Sequence, residues 1–98
     1  MINRIVRMSF DPAKVEDFKA LFEKQKEAIR HFEGCRHLQL WQDVSQPNIF
    51  FTYSHWESED HLNLYRESQL FRETWAATKA LFNDKPAAWS TQSLHILP

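Results

Sequence analysis

Glycine occurs once in this chain of 98 residues, at position 34. Phosphate-cradling loops, the dinucleotide fingerprint and the nucleophile elbow each need more than one glycine at fixed spacing, so nucleotide binding and serine hydrolysis by those routes are excluded. Cysteine also occurs once, at Cys35. An internal disulfide and a cysteine-rich zinc cluster are thereby ruled out, and a reducing compartment suits the chain. Charge of either sign is not in surplus: 12 Lys and Arg oppose 13 Asp and Glu, a net charge of −1. Neither nucleic acid nor an anionic membrane is expected as a partner of such a balance. No apolar run approaches the roughly 20 residues of a membrane-crossing helix. Residues 1–10 lack the basic start and continuous apolar block of a signal peptide. The expected location is cytoplasmic.

What the chain has instead is aromatic surface. Eight Phe, four Trp and two Tyr make 14 % of the residues, a large supply for the one small core that a single domain over residues 1–98 can build. The densest part is Phe50 to Trp75. Phe50, Phe51, Thr52, Tyr53 and Trp56 favour a pleated strand. Ser58 then offers a helix cap, and Glu59 and Asp60 suit the positive end of the helix dipole.

The pattern along the chain predicts six elements. Residues 2 to 10 alternate as a strand, with Val6, Met8 and Phe10 on one side and Ile5, Arg7 and Ser9 on the other. Asp11-Pro12 starts a helix, a side-chain acceptor followed by a preset φ. Val15, Phe18, Phe22, Ile29 and Phe32 fall on one face of it, so it is expected to reach about Phe32, and Gly34 ends it. The Glu23 to Glu27 run is its solvated face. A hairpin over about 36–56 turns at Pro47-Asn48. A short helix carrying Leu62 and Tyr65 breaks near Glu67, and Ser68 caps a longer one with Phe71, Trp75, Thr78 and Phe82 as its buried stripe. The tail from Ala88 to Leu97 is expected as a fourth strand with Leu94 and Ile96 on one face. The order β-α-β-β-α-β predicts an α+β fold, the ferredoxin-like plait, with both helical regions on one face of an antiparallel sheet. Its other face would carry aromatic residues, which points to a symmetric homodimer, sheet against sheet.

Candidate site residues cluster around the strand-to-helix corner. Trp56, Tyr65, Phe71 and Trp75 could hold a small aromatic molecule, although Tyr65 and Trp75 could equally be core aromatics whose polar atoms find partners. His61 is either an exposed residue of the first helical turn or a proton acceptor facing the cleft. His55 is the second candidate acceptor. It shares a hairpin face with His37, Gln39, Trp41 and Tyr53, and that face looks either into a dimer or at the helices. Glu57 and His61 are four apart and could share a metal, but acidic residues near a helix start are commonly solvated, and no metal site is expected.

The helix ending in Phe32-Glu33-Gly34-Cys35, the hairpin through Pro47-Asn48, the strand ending Trp56-Glu57-Ser58 and the Leu62 to Phe71 region together resemble the antibiotic biosynthesis monooxygenase family of dimeric α+β barrels. The resemblance implies a homodimer with a pocket in each subunit between sheet and helices. It further implies a monooxygenase that uses no cofactor and acts on quinol or phenolic molecules; for such a reaction His61 is the first candidate catalytic base among these residues and His55 the second. In the quinol-oxidising branch histidines occur near Tyr65 and Leu70; here Leu70 cannot accept a proton. In the haem-degrading branch a Trp, a His and an Asn fall near Tyr65, Trp75 and Val6, and none of the three matches. The chain is also similar, more faintly, to the L-rhamnose mutarotases, where Phe18 and Phe22 stand in place of proton-shuttling residues. The competing expectations are a non-catalytic binding or stress-associated dimer, or a related isomerase.

Overall fold

The computed structural model describes residues 1–98. The chain forms strand β1 (Ile2–Ser9), helix α1 (Val15–Arg30), strands β2 (Cys35–Gln42) and β3 (Ile49–Trp56), helices α2 (Glu59–Arg66) and α3 (Gln69–Lys79), and strand β4 (Ala87–Thr91). The strands make one sheet in the order β2-β3-β1-β4, every neighbouring pair antiparallel. This is the ferredoxin-like α+β plait expected from the element order. No helix is long and apolar enough to cross a membrane.

Local chemistry sets most of the boundaries. Asp11 accepts a hydrogen bond from the Ala13 N–H at 2.9 Å, and Pro12 opens a single 3-10 turn that leads into α1. Ser58 and Ser68 cap α2 and α3, accepting from the N–H groups of His61 and Phe71 at 3.2 and 3.1 Å. In the β2–β3 hairpin the Asp43 carboxylate accepts from the N–H groups of Ser45 and Gln46. Helix α1 stops at Arg30, short of Phe32, because residues 31–33 are used in the reversal toward Gly34. That glycine has φ +87°, the one positive φ in the chain.

The tail departs from its expected strand. Strand β4 ends at Thr91, paired with Asn3, and β1 begins only one residue earlier at Ile2. Beyond Thr91 there is no neighbouring strand left to pair with, so residues 92–98 are irregular. Leu94, Ile96 and Leu97 lie more than four-fifths exposed, at 84, 83 and 87 %.

The sheet register sorts side chains cleanly between two faces. Rows Ala88–Val6–Thr52–Leu40 and Ser90–Arg4–Ser54–Leu38 run across the helix side; rows Trp89–Ile5–Tyr53–Gln39 and Thr91–Asn3–His55–His37 run across the other. A bulge at Arg36 lets Cys35 join the helix side beside Trp56, although two residues later His37 points away. Packing on the helix side forms two nuclei. Met8, Phe10, Phe18 and Phe50 make one, with the Phe10 and Phe18 rings stacked 4.1 Å apart; Cys35, Trp56 and Leu62 make the other. Between them the layers do not close.

Candidate functional site

The gap between the two nuclei is a cavity of about 330 Å³, at the lower end of the range that holds small organic ligands. Its floor is the helix side of the sheet, from Arg4, Val6 and Met8 across to Thr52 and Ser54. Its roof is built by α1, through Phe18, Phe22 and Ile29, and by α2 and α3. One wall is a continuous aromatic series. Trp56 stacks on Tyr65 at 4.8 Å, Tyr65 meets Phe71 edge-on at 5.2 Å, and Phe71 stacks on Trp75 at 5.8 Å. The sequence supplies this wall by spacing: Trp56 ends β3, Tyr65 lies on the last turn of α2, and Phe71 and Trp75 are four apart on α3, on one helical face. The structure thus brings Trp56, Tyr65, Phe71 and Trp75 together along one cavity.

Polar atoms in the cavity are few and specific. The Trp56 indole N–H donates to Ser54 Oγ at 3.0 Å, so that buried ring has its partner. Burial raises the pKa of the Tyr65 phenol well above its ordinary range, reinforced by the nearby Cys35, and Tyr65 stays a neutral donor. Burial likewise raises the pKa of the Cys35 thiol, against the opposing influence of the His37 backbone and of Arg30. Thr74 Oγ1 is buried at the cavity wall with no hydrogen-bond partner, whereas Thr78 Oγ1 donates to the Thr74 carbonyl at 2.7 Å. Arg4 and Arg66 also line the cavity.

Neither histidine considered as a proton acceptor lines it. The His61 ring lies over Gly34, so close that a Cβ at position 34 would sit 2.5 Å from its Cβ, Cγ and Cδ2. Ser58 Oγ lies 2.7 Å from His61 Nδ1 and also receives the His61 N–H, while His61 Nε2 lies 3.5 Å from the Glu57 carboxylate. Glu57 in turn pairs with Arg36. The Glu57–His61 pair is an outward-facing clasp, and no group of three or more His, Cys, Asp or Glu is arranged to hold a metal. His55 is on the far face of the sheet, its Nε2 2.8 Å from Tyr53 Oη and its ring 4.8 Å from that of His37. Strand β3 alternates, and Ser54 and Trp56 take the helix side. His55 therefore points away from any ligand in the cavity.

Sequence reasoning passed over Arg4, Arg66 and Thr74. A signal for Arg4 was present: it is in phase with Val6, Met8 and Phe10, and a charge on the apolar phase of a central strand is exceptional. Arg66 and Thr74 carried no comparable signal, for each reads as an ordinary surface position of its helix.

On the far face Trp41 stacks on Tyr53 at 4.8 Å, and Trp41 and Trp89 remain 39 and 49 % exposed. Burial and the neighbouring His37 lower the pKa of His55.

Solved structures of similar shape share this architecture. An antibiotic biosynthesis monooxygenase superposes with a TM-score of 0.90 at 16 % identity, over 97 % of this chain and 100 % of its own. A conserved protein from Methanosarcina mazei Go1 gives 0.88 at 21 % identity, over 93 % of this chain and 90 % of its own. A protein from Mycobacterium tuberculosis gives 0.88 at 18 % identity, over 99 and 98 %. At such identities the likeness is one of fold. No curated protein matches the sequence significantly. The family model for antibiotic biosynthesis monooxygenases, however, matches residues 1–77, most of the sequence. The chain belongs to the antibiotic biosynthesis monooxygenase family.

Proposed function

We propose that this chain is a monooxygenase of quinol or phenolic small molecules that needs no cofactor and works as a homodimer. The observation that carries the reading is the aromatic wall from Trp56 to Trp75 facing a cavity of about 330 Å³. Such a wall stacks a planar ring and excludes water from it. An electron-rich phenol, once ionised, passes an electron to O2; the phenoxyl radical and superoxide recombine with a proton as a ring hydroperoxide. Loss of water from that hydroperoxide leaves a carbonyl. Phenol plus O2 gives quinone plus water, and all four electrons come from the substrate. The protein's work is to bind the ring, favour its anion and stabilise the developing charge.

Tyr65, held neutral by burial, donates a hydrogen bond to the substrate oxygen in this mechanism. With no histidine or carboxylate among the lining residues, the substrate's proton leaves to solvent. His61 serves as a positioning residue. It holds the corner between β3 and α2, which the Glu57 N–H also ties to the Gly34 carbonyl at 2.9 Å. His55 belongs to the face that a second copy covers, together with Trp41, Tyr53 and Trp89. Only 13 of 98 residues are buried in the single chain, a thin core that a sheet-to-sheet contact would thicken.

Oxygen uptake with quinols and hydroxylated naphthalenes and anthracenes tests the activity, autoxidation being subtracted with heat-denatured protein. Saturable uptake is expected, falling roughly 10²-fold in Tyr65→Phe. No uptake above the blank across the panel would overturn the activity. The lack of a base in the cavity favours a second reading, a non-catalytic binding dimer, which retained binding without uptake would establish. A light-scattering mass equal to one chain would refute the dimer.

A further inference from the structure

Arg4 lies on the cavity floor, in the row Ser90–Arg4–Ser54–Leu38. One guanidinium nitrogen donates to Ser90 Oγ at 3.0 Å, and that is its only side-chain hydrogen bond. Arg66, the last residue of α2, lines the same cavity from the helix side, at its solvent-exposed end. The five ion pairs of the molecule all lie elsewhere, and no carboxylate pairs with either arginine. Two positive charges thus border one largely apolar cavity with no negative one, Arg4 partly buried and Arg66 exposed.

For the partly buried Arg4 this arrangement is costly in the empty protein. A charge withdrawn from water without a partner loses hydration that nothing replaces. The consequence registers on Arg4 itself: burial lowers its pKa, and the positive charge of Arg66 lowers it further. A bound anion would relieve both effects, since it would neutralise the pair and accept the guanidinium N–H groups that Ser90 leaves unused. Guanidinium is the side chain best shaped to do this, offering a planar fork to two oxygens.

We propose that the cavity takes its ligand as an aromatic anion, the ring against Trp56, Tyr65, Phe71 and Trp75 and the charged oxygen between Arg4 and Arg66. This rests on the reading of the cavity as the ligand site and adds what the ligand must carry. The anionic group is a carboxylate or an ionised phenol. In the latter case the two arginines replace the missing base, because a positive field lowers the pKa of the substrate's own hydroxyl.

Isothermal titration of the full chain with 2-naphthoate and its neutral isostere 2-naphthamide tests the inference. Naphthoate is expected to bind about tenfold tighter or more, the worth of one or two charge-assisted hydrogen bonds. The preference should shrink in Arg66→Gln and vanish in Arg4→Gln/Arg66→Gln. 2-Naphthol separates the two anion sources. An absorbance titration showing bound naphthol ionising at lower pH than free naphthol, but not in the double variant, supports the phenolate; naphthoate preference without that shift supports the carboxylate. Equal binding of naphthoate and naphthamide would overturn the inference and leave the cavity as a ligand site. So would a preference that survives the double variant. Binding of neither compound at millimolar concentration would overturn both. The comparison in the native protein decides the matter even if the Arg4 variants do not fold.

Discussion

Replacing Thr74 by Val should stabilise the protein, because the hydroxyl it removes is buried without a partner. Leaving a buried polar group unsatisfied costs about 1–3 kcal/mol, and removing it recovers that penalty. The methyl that replaces it adds apolar contact worth up to roughly 0.8 kcal/mol. Thr and Val have similar helix propensities, so position 74 within α3 contributes little to the difference. Allowing for partial hydration of the hydroxyl, we expect a gain of about 1–2 kcal/mol. For a domain of this size that corresponds to a rise in Tm of roughly 5–10 °C. Scanning calorimetry without ligand, at one fixed protein concentration, measures it. Thr78→Val is the control of opposite sign: the Thr78 hydroxyl donates to the Thr74 carbonyl at 2.7 Å, and losing that bond should lower stability by about 1 kcal/mol. An unchanged or lower Tm in Thr74→Val would refute the reasoning, since it would mean the hydroxyl is satisfied.

Two further substitutions probe the frame. Gly34→Ala should cost about 1 kcal/mol for the positive φ and more for displacing the His61 ring, read as a drop in urea midpoint well beyond that of Glu33→Ala. Equal effects at the two positions would dismiss the contact. For Tyr65 the sign follows from burial: the unfolded chain loses the phenolic proton near pH 10, while the folded protein holds it to higher pH. Stability owed to this group is complete below pH 10 and falls above it, by up to roughly 1.4 kcal/mol per pH unit. Tyr65→Phe should flatten that limb of the stability profile; a profile identical to that of the native protein would remove Tyr65 as the cause.

The parts of the fold that were legible in the sequence are those written in local chemistry. Asp11-Pro12, Ser58 and Ser68 mark their helices through the bonds their side chains make, and Gly34 marks the reversal because one backbone region is open to it alone. The aromatic wall was legible as a set of residues, since its spacing on α3 is a helical one. What escaped depends on partners distant in sequence. The end of β4 is fixed by where β1 begins, so Leu94 and Ile96 gave a strand pattern with nothing to pair against. The orientation of His55 follows from which face of β3 the helices cover, and strand alternation is blind to that choice. His61 satisfied every local requirement of a first-turn acceptor, yet its position is dictated by a glycine 27 residues earlier. Arg4 was visible as an anomaly, but its meaning required Arg66 opposite it.

Neighbouring codons of the central strands answer to different constraints. In β3, Thr52, Ser54 and Trp56 face the ligand cavity, while Phe51, Tyr53 and His55 face outward, and β1 divides in the same way between Arg4, Val6 and Met8 and Asn3, Ile5 and Arg7. Substitutions can therefore remodel what the cavity holds while the outer face is conserved, or the reverse, within one short stretch of gene. Insertions and deletions have no such freedom. One residue gained or lost in β1 would turn the arginine outward and carry Ile5 and Arg7 into the cavity, exchanging both surfaces at once. The bulge at Arg36 marks where the sheet already absorbs an extra residue, at the start of an edge strand. Length variation among relatives of this chain should accumulate there and in the hairpin loop, and substitution should accumulate everywhere else in the sheet.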